Sequence, residues 1–269
     1  MNTRLPVLAL GVLVVATTGP WALTAQVAML PIAETPRLSS RCEGSTDILA
    51  SPVGAAVLAA LADPDDPRRD LRLAAAQDSL EGVLGVHPDR LEDRYLLAMV
   101  LGARSEVASG RDKLALAGAM KVEAERVLEA DSGHAGAHHL VGRLHAAVQR
   151  LGTMKRLLAR AVFGGEVLGG ASWAEARRHL ALAEEGAPCR PEHHFELARL
   201  HVDVDEPQAA RRELLHVLEL TAGRAEFRSL ARRAEELAAG LPPVRATGRV
   251  PRHRGEGRRR AAHRREGDL

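Results

Sequence analysis

The chain has 269 residues, of which 46% are apolar and 27% charged but only 2% aromatic, a balance that argues against an all-β sandwich, whose strands draw on β-branched and aromatic side chains. Its formal charge of +2 hides an asymmetry: nine Arg face three acids between Leu241 and Leu269, so this stretch carries +6 and the remainder −4. Arginine outnumbers lysine 34 to 3, which together with the excess of Ala points to a GC-rich coding bias and lowers the weight of any single arginine.

The first residues place Arg4 ahead of a nearly unbroken apolar run, Leu5 to Ala16, followed by small residues up to Ala25. That order matches an export signal. Residues 1–25 are therefore read as a signal peptide or, if uncleaved, a membrane anchor, because apolar character resumes from Val27 to Ala33. The expected location is exported, periplasmic or secreted, or tethered to the membrane. Residues 26–65 read as a linker with a short capping helix near 52–62. Cys42 and Cys189 are the only cysteines. In an oxidising compartment they are candidates for a disulfide, with two separate thiols as the alternative.

From residue 66 to 240 the chain alternates Ala/Leu-rich stretches with short breaks, which predicts an all-α domain. Asp66-Pro67 has the form of a helix start, and His87-Pro88 that of a stop. Further helices are expected at about 90–107, 111–130, 134–151, 173–186, 191–203, 207–221 and 224–239. One spacing recurs: Ala76, Leu80, Val83 and Pro88 match Ala176, Leu180, Ala183 and Pro188, and again Ala210, Leu214, Val217 and Ala222. The last two sets lie 34 residues apart. A second set follows each break at +9 and +10, namely Leu97-Ala98, Val141-Gly142 and Leu197-Ala198, counted from Pro88, Ser132 and Pro188. A small residue there suits two helices that cross closely.

This 34-residue helix-turn-helix pattern resembles the tetratricopeptide repeat, which implies antiparallel helix pairs stacked in a right-handed superhelix. The Pro88–Ser132 and Ser132–Pro188 spacings of 44 and 56 imply insertions. The second insertion predicts a basic helix ending in Phe163-Gly164. With Gly142-Arg143 before it and Glu175-Ala176 after it, the segment from Val122 to Leu220 resembles the regulator of microtubule dynamics family, although Leu144 stands where that family carries Trp. The resemblance implies a divergent repeat fold without catalytic activity that acts through protein contacts.

Candidate chemistry centres on the 12 histidines. His134 and His138, four apart on a helix, would face the same way and suit a metal ion, but no acid lies between them as in zinc hydrolases. The register instead predicts packing. His138 and His194 both fall six residues after a break, and His145 and His201 thirteen, slots where the repeat usually packs an aromatic ring. On the concave face the register places Tyr95, Met99, His139, Arg143, Phe195 and Arg199. Arg143 and Arg199 would fork onto carboxylates of a peptide, or onto scaffold acids such as Glu196 or Asp203.

Asp63, Asp65 and Asp66 read as a prolyl corner between helices rather than a calcium loop. With no phosphate-cradling loop, nucleophile elbow or paired-Cys motif, neither an enzyme nor a cofactor is expected. Residues 241–269 lack the apolar surface to fold alone and would attract anionic lipid or another polyanion. No aromatics interleave the arginines to stack bases, so nucleic acid is not an expected partner. The leading expectation is a non-catalytic scaffold binding a protein or peptide in its groove. The rivals are a His-dependent metal-binding protein or hydrolase, and an envelope-structuring protein that grips anionic surfaces through its tail.

Overall fold

The computed structural model describes residues 52–62, 66–152 and 170–243, all within the compact unit Arg37–Leu269. The export-type segment, Cys42, Asp63, Asp65, the basic helix expected in the second insertion and the arginine-rich stretch beyond residue 243 lie outside the described residues.

Among the described residues the chain forms nine α-helices: α1 (Pro52–Ala62), α2 (Arg69–Val86), α3 (Leu91–Val107), α4 (Gly110–Ala130), α5 (Ala135–Arg150), α6 (Trp173–Gly186), α7 (Pro191–Asp203), α8 (Pro207–Thr221) and, after a 3-10 turn at Ala225–Phe227, α9 (Arg228–Ala239). No strand occurs among them, so the all-α expectation holds. Proline opens α7 and α8, where its fixed φ suits the first turn and its missing N–H costs nothing. Ser172 caps α6 by accepting from Glu175 N at 3.1 Å. The start of α2 differs from expectation. Asp66 Oδ1 accepts from Arg68 N at 2.9 Å, and its carbonyl accepts from Arg69 N at 2.9 Å, so a turn precedes the helix and delays it to Arg69.

The helices associate mainly as neighbours in sequence: α1 with α2, α3 with α4, α5 with α6, α7 with α8, and α9 on α8. Each pair also meets the next, and α3 touches α5 as α5 touches α7. The α7–α8 connection is the tightest. It turns through Asp205, whose φ of 59° is a left-handed conformation that a short polar side chain tolerates. Glu206 N closes the turn on His201 O at 2.8 Å.

The recurring apolar set is the core of each outer helix. Leu80, Leu180 and Leu214 are at most 1% exposed, and Met120, Ala124 and Val127 supply the same set in α4. The small residues at +10 are buried too: Ala98 and Ala198 are fully enclosed. Gly142 allows the closest approach, because a Cβ there would stand 2.8 Å from Leu180 Cγ. The core runs along the stack as successive clusters, one spanning α1 to α5, one joining α5, α6 and α7, and one joining α7, α8 and α9. That is the quasi-one-dimensional packing of a helical array.

Candidate functional site

One polar arrangement repeats along the stack, at the sixth residue after each break. In α3, Arg94 donates to Pro88 O at 2.6 Å and to Glu123 Oε2 of α4 at 2.5 Å. In α5, His138 Nε2 pairs with Ser132 O at 2.9 Å and Nδ1 with His179 Nδ1 of α6 at 2.8 Å. In α7, His194 Nε2 pairs with Pro188 O at 2.8 Å and Nδ1 with Glu213 Oε2 of α8 at 2.8 Å. Each side chain ties the carbonyl of the turn residue just past the preceding helix to the outer helix of its own pair.

The partners Glu123, His179 and Glu213 all lie three residues past the first core position of their helices, Met120, Ala176 and Ala210. Sequence reasoning missed them, although the polar residue at that fixed offset was there to be read. Burial of His138 and His194, at 6% and 0% exposure, fits the predicted packing role. They are not apolar stand-ins for aromatic rings, however, because both nitrogens of each are bonded. At the +13 slots, His145 stacks on His179 with ring centroids 5.8 Å apart, and His201 Nδ1 lies 2.6 Å from Glu206 Oε2.

The predicted metal pair separates. His134 Nδ1 accepts from Ala137 N at 3.1 Å as a helix cap, and its ring lies against Tyr95 at 4.6 Å between centroids. His138 faces His179 instead. Among the described residues a different group brings metal-capable atoms together: one ligand atom each of His194, Glu213 and His216 lies within 4.8 Å of the others.

The predicted groove residues fall into two sets. Tyr95, His139 and Phe195, at +7, pack toward the next inner or terminal helix. The Tyr95 ring fills the space that a Cβ on Gly136 of α5 would need. His139 lies on His193 of α7 at 4.8 Å, and Phe195 lies beneath Arg233 of α9 at 4.7 Å. Burial, opposed in part by Arg190, pushes the Tyr95 hydroxyl up to about 12, and burial together with His193 holds His139 well below its ordinary value.

Met99, Arg143 and Arg199, at +11, are half-buried. The two arginines converge on one buried acid, Glu196, at 3.4 Å and 3.0 Å. Arg143 also pairs with Glu106, which reaches Arg69 at 3.7 Å, so an ion ladder crosses α2, α3, α5 and α7. Burial alone would raise the Glu196 pKa, but Arg143 and Arg199 outweigh it and bring it below the usual carboxylate range.

A large surface cleft lies elsewhere, between α2, α3 and α4, with a volume of about 930 Å³. Leu97, Leu101, Leu116 and Val122 give it an apolar lining, and Asp70 and Asp112 are among the charged residues that also line it. None of the six predicted groove residues lines it.

None of the curated proteins matches the chain. The profile of the family described as regulator of microtubule dynamics protein 1-3 matches residues 53–241, more than half of the sequence and nearly the whole described helical stack. The chain therefore belongs to the regulator of microtubule dynamics family.

Proposed function

We propose that the chain is a non-catalytic scaffold of the tetratricopeptide type, a right-handed superhelix of helix pairs that mediates protein–protein contact in the cell envelope. The observation that carries this reading is the repeated clamp at Arg94, His138 and His194. It commits the most chemically capable side chains to holding helix pairs in register, as a structural array requires. Family membership supports the same reading. The export-type segment at residues 1–25 supports the envelope as its site, and the +6 charge beyond Leu241 would add attraction to anionic surfaces.

Two surfaces are available to a partner. One is the face bearing Met99 and Arg199, and the other is the cleft lined by α2, α3 and α4, where Leu97, Leu101, Leu116 and Val122 alternate with charged and polar side chains. The test is cross-linking and capture from the native envelope fraction, with wild-type protein beside Val122→Asp and Arg199→Gln variants, each first matched to the wild type in helical content by circular dichroism. A partner retained by the wild type and lost with one variant supports the scaffold and locates the surface. Retention no greater than that of an unrelated helical protein, or equal in all three, overturns it. N-terminal sequencing of the mature protein from the same fraction tests the location.

A further inference from the structure

We propose that His194, Glu213 and His216 form a binding site for a divalent transition cation of the Zn²⁺ class, joining α7 to α8. Glu213 and His216 are three residues apart on α8 and so share one face of that helix. His194 approaches from α7, and its side chain is fully buried.

The hydrogen-bonding inventory of His194 is what marks the site. Its Nε2 lies 2.8 Å from Pro188 O, and a carbonyl can only accept, so Nε2 carries a hydrogen. Its Nδ1 lies 2.8 Å from Glu213 Oε2, and a carboxylate also only accepts. A neutral imidazole cannot donate from both nitrogens. Either the ring is charged, or a cation takes the place of the proton between Nδ1 and the carboxylate. His216 Nδ1 lies 3.8 Å from the same Glu213 oxygen, is shielded from solvent and makes no hydrogen bond. The two imidazoles are nearly perpendicular, at 81°, so they approach the carboxylate from different directions.

The equivalent clamp in the preceding pair lacks this demand. His138 donates from Nε2 to Ser132 O, and His179 can supply the hydrogen to its Nδ1, so neutral rings satisfy both contacts. The residue matching His216 in α6 is Leu182, and in α4 it is Arg126. Among the described pairs, only α7–α8 carries all three ligands.

Two imidazoles and a carboxylate make a donor set that suits Zn²⁺, with a fourth position left for water beside the half-exposed His216. Tetrahedral bonds of about 2.0–2.1 Å would set ligand atoms roughly 3.3 Å apart. Reaching that from 2.8 and 3.8 Å needs shifts of about half an ångström for the two pairs that include Glu213, and up to about 1.5 Å for the His194–His216 pair, whose ligand atoms lie within 4.8 Å. The Pro188 carbonyl already does what an outer-shell partner does for a ligating histidine, fixing the tautomer that leaves Nδ1 free.

The experiment is titration of chelator-stripped full-length protein with Zn²⁺, followed by calorimetry and thermal melting, and with Co²⁺, followed by visible absorption. One equivalent of Zn²⁺ should bind and raise Tm, and Co²⁺ should give the intense bands of a four-coordinate site. His216→Ala removes a partly exposed side chain and should fold. It should weaken Zn²⁺ binding at least tenfold, as should Glu213→Gln, while His134→Ala should leave it unchanged. Absence of stoichiometric binding, or equal affinity in wild type and His216→Ala, overturns the site. Binding would make the α7–α8 clamp a metal-held joint and its absence would leave a direct His194–Glu213 contact, whereas the scaffold reading stands or falls separately on the capture experiment.

Discussion

Gly142 of α5 lies so close to Leu180 of α6 that a Cβ on it would stand 2.8 Å from Leu180 Cγ and 3.0 Å from the Leu180 backbone nitrogen. A rotamer change can relieve the first contact but not the second. Gly142→Ala should therefore force α5 and α6 apart and destabilise the domain by about 1–3 kcal/mol, even after a gain in helix propensity of up to about 1 kcal/mol. Gly82, also within a helix, has nothing within 4 Å of its would-be Cβ, so Gly82→Ala should stabilise by roughly 0.5–1 kcal/mol. Urea denaturation of the two variants checks both signs, and equal effects would remove the close-crossing explanation.

Glu196 carries the middle of the ion ladder, with a side chain only 6% exposed between Arg143 and Arg199, which are 35% and 33% exposed. Removing the acid leaves two half-buried guanidinium groups without their shared partner. Glu196→Ala should cost about 1–3 kcal/mol, less than a fully buried pair because water screens the arginines. A double-mutant cycle with Arg199→Ala measures the coupling. Additive losses would mean that the contact at 3.0 Å contributes little beyond its geometry.

How much of this was legible follows from what each residue depends on. The helix boundaries came close because Pro191, Pro207 and the His87-Pro88 stop act locally, through φ and a missing donor. The burial of Leu180 and Leu214 followed from their repeated spacing. The candidate groove was less legible. Residues at +7 and +11 share the register of the inner helices, but whether they face a partner or the next helix depends on how successive pairs stack. Tyr95 turned inward because Gly136 leaves room for it, and Arg143 because Glu196 lies one inner helix away. The His194 group needed α7 and α8 in three dimensions, since the 19 positions separating His194 from Glu213 match no ligand spacing readable along the chain.

His179 makes the fold sensitive to acid. Burial, with the Arg178 guanidinium, His138 and His145 nearby, pushes its pKa down to about 4, and Glu175 opposes that only in part. A histidine whose folded pKa lies below its unfolded value near 6.5 contributes stability at pH 7 that is lost as pH falls from about 6.5 to 4. The loss should be on the order of 2–3 kcal/mol. His179→Gln can still bond to His138 Nδ1 but does not titrate. Thermal melts at pH 7.5 and 4.5 should show a smaller fall in Tm for the variant than for the wild type. Parallel falls would assign the acid sensitivity to other groups.

Cys189 sits in the turn between α6 and α7, and among the described residues no cysteine is free. Cys42 is the only other cysteine in the sequence. A bridge between them would close a loop long enough to add up to about 5 kcal/mol in the chain-entropy model. Non-reducing peptide mapping of the purified full-length protein should recover a peptide joining the two. Reduction should lower Tm, and Cys42→Ser should lower it equally while abolishing the response to reductant. A Cys42→Ser variant that melts with the oxidised wild type would mean that the two thiols are unrelated.

The stretch from Leu241 to Leu269 carries +6 on a chain whose remainder carries −4, so attraction to an anionic surface should come from the tail alone. Each arginine near such a surface contributes about 1 kcal/mol, and the effect falls off within a Debye length. Deleting residues 245–269 should abolish sedimentation with vesicles containing anionic phospholipid. Raising the salt from about 0.1 M to about 1 M, which shortens the Debye length from about 10 Å to about 3 Å, should release the full-length protein in the same assay. Helical content by circular dichroism should persist in the truncated protein, because the core clusters formed by the described residues reach no further than Leu241. Vesicle binding that survives both the deletion and the salt would have to come from the N-terminal apolar run between Leu5 and Ala16, and would favour an uncleaved anchor over a cleaved signal.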